Sequence, residues 1–410
     1  MRRLFQLYLL FIFTFAVSAA PVFAAPQAKS AAKVKDWTVM VFINGKNDLA
    51  SFAFSDVNEM EKIGSTDRVN VVAEVGHMKS EDPHGGLILP DSVSWTGSRR
   101  LYITKDDNMR VIKSIMFNVG SGDMGDWRRL VDFVIWAKLT FPAKHYALVV
   151  WNHGNGVRGI SYDDVTNHNF TVAQLGRAMA SIGKIDVYAS DACLMQMAEV
   201  AYEIKDYAPV IVGGEEVVPG DGQDYMAFLA KLAVNPSATG EDVGVMMVDS
   251  FERYYKMTGT DVTLSAVRSE PLADLSDLLS RWVKAVVEAG DSAPVAKAYR
   301  EVQRFETSDY VDLYHFVQLV TKYSSATEVG NLGQQLMTMI KSRVVIANAA
   351  SEPTYGNAHG LSIFFPGKQG FAKGYGNLKM SKDGKWDEFV SMFVKKPSGI
   401  IVQPKQIILP

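Results

Sequence analysis

The first 230 residues alternate between short apolar runs and amphipathic helical patterns. The apolar runs are rich in β-branched residues and are bounded by Gly, Asn or Asp, which is typical of strands buried on both faces of a sheet. Segment 92–106 alternates in polarity around Gly97-Ser98 and predicts a hairpin at a sheet edge. The repeated β-α-β units predict an α/β fold with a mostly parallel sheet flanked by helices. The predicted strands are 37–44, 69–76, 145–151, 185–190 and 209–214, and the predicted helices are 48–62, 126–139, 172–182 and 194–205.

The pattern changes near residue 230, where longer helices become more frequent. The sequence has no internal repeat, and no low-complexity linker separates its two parts. We therefore expect an α/β domain at 36–230 and a helix-rich C-terminal lobe at 231–410 that packs on the same sheet. In this second part the predicted helices are 241–258, 271–288 and 327–342, and the strand-like pieces are 262–267, 343–349 and 360–366.

The N-terminal segment has the layout of a signal peptide. Arg2 and Arg3 precede an apolar stretch at 4–17, and Val22-Phe23-Ala24 offers small residues at the cleavage positions. We expect residues 1–24 to be removed and the mature chain to be secreted or periplasmic, with no membrane attachment after cleavage. An uncleaved membrane anchor is the alternative, and the arginine pair leaves open whether export uses the twin-arginine route.

The composition is that of an ordinary globular protein, with 48% hydrophobic and 21% charged residues. Its net charge of −3 gives no basic footprint for nucleic acid. Cys193 is the chain's one cysteine, so it has no internal disulfide partner. In an exported chain, a single thiol is a buried inert residue, an intermolecular bridge or a reactive group.

The glycine-spaced loop "VVWNHGNGVRGI" at 149–160 raises the possibility of a dinucleotide site. Such a site needs a helix that begins within the glycine turn, and an acidic residue about 20 positions further on. Here the glycines lead into "ISYDDVTNHNF", which is a β-rich segment, and no acidic residue lies near Gln174. The sequence therefore does not favour a dinucleotide cofactor.

His153 and Cys193 follow the carboxyl ends of two predicted strands, 145–151 and 185–190. One helix separates these strands, so they should be parallel and close in space, with both residues at the same sheet edge. The helix predicted to begin near Leu194 would place the thiol at its N-terminus. A helix N-terminus and a neighbouring imidazole both favour the nucleophilic thiolate, and the pattern therefore favours a reactive cysteine.

Five segments of the chain resemble the clostripain family of cysteine peptidases, in the clan that also holds caspases, legumains and gingipains. The resemblance spans nearly the whole mature chain, and the His-Gly and Asp-Ala-Cys motifs after two strands are its specific part. The segments are "WTVMVFINGKNDL" (37–49), "NHGNG" (152–156), "SDACLMQMAEVAYEI" (190–204), "GEEVVPGDGQDY" (214–225) and "HGLSIFFP" (359–366).

The resemblance implies a caspase-like fold and an exported cysteine endopeptidase with a Cys-His dyad that needs no third member. It implies that His153 is the general base or acid, that Cys193 is the nucleophile, and that backbone N–H groups of Gly154 and Cys193 bind the oxyanion. Peptides or proteins would be the substrates, and we expect a monomer.

The resemblance also implies a pocket for a substrate Arg or Lys. Asp191 would provide its charge, although a helix cap is an alternative role for this residue. Asp221 would form a second wall, with Asp224 as an alternative.

Two further possibilities remain open at this point. No cofactor is required, but some family members need calcium, for which Asp163 and Asp164 are the candidates. Relatives also cleave themselves between the two motifs. The available sites are Arg158, Arg177 and Lys184, of which Arg158 is favoured if its loop is exposed.

Other functions are a catalytically silent binding or adhesion module on the same fold, or a metallohydrolase. The intact dyad argues against the first, and the absence of an H-E-x-x-H motif argues against the second. The metallohydrolase would use His153, His168, Asp163 and Asp164.

Overall fold

The strands and helices follow one another along the chain largely as the hydrophobic pattern predicts. The structure, a computed structural model, describes residues 33–78, 95–367 and 370–393, so the predicted signal peptide at 1–24 lies outside the described residues. The strands, in chain order, are β1 (Lys35–Gly45), β2 (Val69–His77), β3 (Gly97–Tyr102), β4 (Ile115–Asn118), β5 (Ala143–Trp151), β6 (Ile160–Asp163), β7 (His168–Phe170), β8 (Val187–Asp191), β9 (Val210–Gly213), β10 (Thr263–Arg268), β11 (Tyr310–Asp312), β12 (Val345–Ala350) and β13 (Ser362–Phe364). The helices are α1 (Ala50–Ile63), α2 (Trp127–Thr140), α3 (Val172–Ile182), α4 (Ala198–Ile204), α5 (Tyr225–Val234), α6 (Gly240–Thr258), α7 (Leu272–Glu288), α8 (Ala293–Glu301), α9 (Leu313–Tyr323), α10 (Thr327–Met339), α11 (Lys379–Asp383) and α12 (Trp386–Phe393).

The central sheet has nine strands in the order β12-β10-β9-β8-β5-β1-β2-β3-β4. The five middle strands, from β9 to β2, pair in parallel, and the outer strands pair antiparallel. In the register of β5 with β8, Trp151 lies opposite Asp191. The loops that carry His153 and Cys193 therefore leave the sheet side by side at its carboxyl edge.

Both faces of the sheet are covered by helices. Along β1, Met40 and Phe42 belong to one hydrophobic core, whereas Val39, Val41 and Ile43 belong to the other. Helices α1, α5 and α6 pack on the second core, and α2, α3, α4 and α7 pack on the first. Each fully buried aliphatic side chain stabilises the fold by roughly 1.5–3 kcal/mol, so the apolar runs specify these buried strands.

The C-terminal part contributes to the same sheet. β10 pairs antiparallel with β9, and β12 pairs antiparallel with β10, and the described residues form one compact unit. The helices predicted at 241–258, 271–288 and 327–342 correspond to α6, α7 and α10. Within the described ranges, no helix is both long and apolar enough to cross a membrane.

Two local predictions are wrong. The hairpin predicted at 92–106 does not turn at Gly97-Ser98, because Gly97 begins β3, which pairs with β2 on one side and β4 on the other; residues 92–94 lie outside the described residues. The helix predicted from Leu194 begins only at Ala198. Leu194 has a φ of 63° and so cannot start a right-handed helix.

Candidate active site

The His153 and Cys193 loops touch through their backbones at the ends of β5 and β8. The Asn152 N–H donates to the carbonyl of Asp191 at 3.2 Å. A Cβ on Gly154 would lie 2.4 Å from the Cys193 carbonyl oxygen, a separation that real Cβ atoms do not show. Glycine at 154 is therefore required for this close approach of the two loops.

A cavity of about 170 Å³ opens at this junction. It brings together the side chains of His153, Cys193 and Asp191, which the sequence places in one site. Its lining residues are Leu49, Trp151, Asn152, His153, Asp191, Ala192, Cys193, Val217, Val218, Pro219, Gly220 and Gly222.

The environment of Cys193 differs from the one that the sequence predicts. Because α4 begins only at Ala198, no helix N-terminus lies at the thiol. The loop instead runs along the segment after β9, with the Leu194 N–H donating to the Glu216 carbonyl at 3.1 Å. The predicted contribution of a helix dipole to thiolate formation is therefore wrong.

Two opposing effects act on the Cys193 thiol. Burial raises its pKa, and hydrogen bonds from the backbone at Val218, Gly154 and Cys193 itself offset part of that rise. The thiol also donates to the Val218 carbonyl, with 3.8 Å between sulfur and oxygen. Backbone groups of Gly154 and Cys193 therefore lie beside Sγ, where donors to an oxyanion would be needed. The loss of this proton requires a base nearby.

His153 is paired with a residue that the sequence analysis did not single out. Its Nε2 lies 2.7 Å from Oδ1 of Asp48. Asp48 follows the carboxyl end of β1, and β1 pairs directly with β5. The position of Asp48 at the same sheet edge as His153 could have indicated this contact from the sequence.

Asp191 is buried and does not cap a helix. The residue is 4% exposed, and Oδ2 accepts hydrogen bonds from the Tyr225 hydroxyl at 2.9 Å and the Gln223 N–H at 3.2 Å. Burial raises the pKa of its carboxyl to about 6. Because α4 begins seven positions after Asp191, at Ala198, and the carboxylate faces Gln223 and Tyr225, the alternative role as a cap of that helix is wrong.

Two acidic residues of α1 that the sequence motifs did not indicate also lie close to Asp191. Asp56 accepts a hydrogen bond from Trp151 Nε1 at 2.6 Å, and Glu59 accepts one from the Tyr225 N–H at 3.2 Å. Burial and then the charge of Asp191 raise the pKa of Asp56 well above its usual range. Burial and then the charge of Asp224 raise the pKa of Glu59 to about 8. Helical periodicity could have placed Asp56 on the buried face of α1, with the partly buried Glu59 about one turn further along the same side.

The two other predicted pocket acids have different environments. Asp221 is exposed, is not among the cavity lining, and accepts a hydrogen bond from the Tyr254 hydroxyl at 3.0 Å. Asp224 caps α5 by accepting from the Ala227 N–H at 2.8 Å. Of the three acidic residues, Asp191 lines the cavity, whereas Asp221 and Asp224 do not.

The residues considered for a metal or calcium do not assemble into one site. Asp163 accepts hydrogen bonds from backbone N–H groups of Met124, Val165 and Thr166, and Lys46 Nζ lies 3.6 Å from it. His168 pairs with Asp123 rather than with His153. Among the residues that the structure describes, no three His, Cys, Asp or Glu side chains are grouped to hold a metal ion.

Comparison with known proteins identifies the family. The model of the clostripain family, Peptidase_C11, matches residues 41–393. The chain belongs to the clostripain family. It is 24% identical over 230 residues to clostripain from Hathewaya histolytica; the match covers 50% of this chain and 44% of that protein, so the chain spans less than half the length of this relative.

Solved structures of the clostripain family share the fold. A secreted C11 cysteine protease from Bacteroides thetaiotaomicron, in complex with an irreversible peptide inhibitor, superposes with a TM-score of 0.64 at 19% identity, over 86% of this chain and 100% of that chain. An inactive zymogen C11 protease from Parabacteroides distasonis gives 0.63 at 18% identity, over 86% and 98%. The predicted family and the predicted caspase-like α/β fold are both confirmed.

Proposed function

We propose that this chain is an exported cysteine endopeptidase that cleaves peptide bonds after Arg or Lys, with Cys193 as nucleophile and His153 as general base and acid. The observation that carries the proposal is the register of β5 with β8. This register brings the loops that carry His153 and Cys193 to one cavity. The family to which the chain belongs is one of cysteine peptidases.

The proposed reaction follows from the groups at the cavity. His153 takes the proton from the Cys193 thiol, and Sγ attacks the substrate carbonyl to give a tetrahedral intermediate. Backbone N–H groups of Gly154 and Cys193 stabilise the oxyanion. His153 then gives its proton to the leaving amine as the C–N bond breaks, and water hydrolyses the resulting thioester to regenerate the thiol.

Specificity for a basic side chain is supported by the acidic residues behind the cavity. Asp191 lines it, and Asp56 and Glu59 lie behind Asp191. In the described part of the chain, these three carboxyl groups receive hydrogen bonds from neutral donors, such as Trp151 and Tyr225, and none from Lys or Arg. A substrate guanidinium or ammonium group would supply the missing positive charge.

Self-cleavage at Arg158 is not favoured by its surroundings. Its guanidinium donates to the Tyr310 hydroxyl at 3.0 Å, lies over the rings of Tyr310 and Phe364, and is only partly exposed. Lys184 is exposed in the loop between α3 and β8, after Gly183. If the chain is processed between the two motifs, we propose Lys184 as the site.

A cleavage assay on the purified exported protein tests the proposed function. The substrates are matched fluorogenic peptides that differ only in the residue before the scissile bond: Arg, Lys or Leu. We expect turnover of the Arg and Lys peptides. Iodoacetamide should abolish this activity, whereas a chelator should leave it unchanged. Loss with the chelator alone would instead support a metallohydrolase, and absence of turnover would support a binding module.

A further inference from the structure

The geometry points to Asp48 as a positioning residue that orients the His153 ring for proton transfer. This inference rests on the proposed function. The two side chains meet at 2.7 Å between Asp48 Oδ1 and His153 Nε2, at the mouth of the cavity that Cys193 lines. The family resemblance implies a Cys-His dyad that needs no third member, and such a dyad alone would leave the orientation of the His153 ring unspecified.

The turn that carries Asp48 is fixed by a buried asparagine. The amide of Asn47 donates from Nδ2 to the Tyr162 carbonyl at 2.9 Å and accepts from the Leu49 N–H at 3.0 Å. Asn47 is 1% exposed. A buried amide is costly unless its hydrogen bonds are made, so this side chain holds the turn against β6.

The loop that carries His153 is held by the same residue of β6. Asn152 accepts from the Tyr162 N–H at 2.6 Å through Oδ1 and donates through Nδ2 to the Asn44 carbonyl at 2.6 Å. Asn44 in turn donates to the Tyr162 carbonyl at 3.0 Å. Asp48 and His153 each follow directly on an asparagine that is hydrogen-bonded to Tyr162, and their approach is therefore set by buried backbone contacts.

This approach determines which ring nitrogen is available for chemistry. A carboxylate is only an acceptor, so a hydrogen bond to it places a ring proton on Nε2. Nδ1 of the neutral ring is then the acceptor for the thiol proton, and it is the donor to the leaving amine after proton transfer. During that step the Asp48 carboxylate faces the positive charge that develops on the ring.

The pair is too exposed to be explained by stability. The side chains of His153 and Asp48 are 40% and 53% exposed, and ion pairs at such positions are screened by water and contribute little to folding. Loss of Asp48 should therefore leave the melting temperature almost unchanged and reduce the rate of proton transfer.

The test compares amide and ester substrates that share one Arg-containing acyl part. An amine must be protonated to leave, whereas an alkoxide needs much less assistance, so defective proton donation slows amides selectively. We expect Asp48→Ala to lower kcat for the amide roughly tenfold to a hundredfold with little change in KM, a part of the ~10²–10⁴-fold that general acid-base catalysis provides. The ester should lose much less.

Two further variants complete the design. Asp48→Asn keeps an acceptor oxygen without the charge and should recover part of the amide rate. Asp67→Ala removes an exposed carboxylate in the turn before β2 and should behave as wild type. An unchanged amide rate in Asp48→Ala, or equal losses on amide and ester, would overturn the role of Asp48. A wild-type protein that hydrolyses neither substrate would overturn the proposed function together with it.

Discussion

Gly154 and Cys193 approach so closely that the α-carbon of Gly154 has no room for a side chain. A Cβ there would meet the Cys193 carbonyl oxygen at 2.4 Å and also the side chain of Met195 at 2.8 Å. The contact ties the loop after β5 to the loop after β8, and it sets the two backbone groups that we assign to the oxyanion.

Gly154→Ala should therefore disable catalysis. The new methyl group must push the two loops apart, and loss of one oxyanion donor costs about 10²–10³-fold in kcat. The measurement is kcat for an Arg peptide, with circular dichroism to confirm folding. Gly330→Ala is the matched control, because a Cβ there meets nothing within 4 Å and a helical Ala is favoured over Gly. Equal kcat in the two variants would contradict the assignment.

Cys193→Ala should abolish peptide cleavage without unfolding the protein, because it removes the covalent step and only a small side chain. His153→Ala should be nearly as severe. The two residues act as one unit, so the double variant should be little worse than either single variant. The kcat/KM of all three variants is measured with one peptide, and substantial turnover by Cys193→Ala would rule out the thiol mechanism.

The sequence predicts which residues meet at the cavity better than it predicts their surroundings. Strand patterns and the sheet-edge rule are enough to place His153 beside Cys193, because parallel registry depends on buried apolar runs. The helix start near Leu194 could not be predicted in this way, because a left-handed φ at a leucine is set by backbone pairing to the segment after β9. The sheet-edge rule could have indicated that Asp48 lies near His153, but the hydrogen bond between them depends on a loop geometry that buried asparagines determine through tertiary contacts.

Short helices with strand-like composition were also missed. Helix α9 contains Val, Phe and Tyr at many positions, and those residues favour strands when no tertiary context is known. In the folded protein it is capped by Asp312, which accepts from the His315 N–H, and it packs against α8 and α10. Tertiary packing here overrides the local preference.

The acidic residues behind the cavity should make stability depend on pH. Burial raises the folded-state pKa of Glu59 to about 8, above its value of about 4.3 in an unfolded chain. The folded state therefore binds more protons than the unfolded state between these values, so the free energy of unfolding should fall as pH rises from about 4 to 8. In urea unfolding at several pH values, Glu59→Gln should show a weaker fall, and an unchanged slope would contradict the effect.

Processing after Lys184 makes a prediction that separates Lys184 from Arg158 as the cleavage site. Wild-type protein incubated after purification should yield a fragment that ends at Lys184, detectable by intact mass. Cys193→Ala should stay one chain, and Lys184→Gln should block the cut, whereas Arg158→Gln should not, because Arg158 is packed against Tyr310 and Phe364. A wild-type enzyme that is active as one intact chain would remove the hypothesis of self-cleavage.

Asp191→Asn should cause a selective loss of activity on basic substrates. A substrate cation in the cavity would leave water only because a buried carboxylate faces it, and removal of one partner of a buried pair costs about 3–5 kcal/mol. That corresponds to a hundredfold or more in kcat/KM for Arg and Lys peptides, whereas a Leu peptide should change far less. Asn keeps the shape of the side chain and can still accept from the Tyr225 hydroxyl.

Asp221→Asn is the matched comparison. If Asp221 forms a second wall of the pocket, this variant should show the same selective loss of kcat/KM on Arg and Lys peptides. Its exposed contact with Tyr254 instead predicts only a small loss. Equal small losses across all three peptides in Asp191→Asn would assign Asp191 a purely structural role.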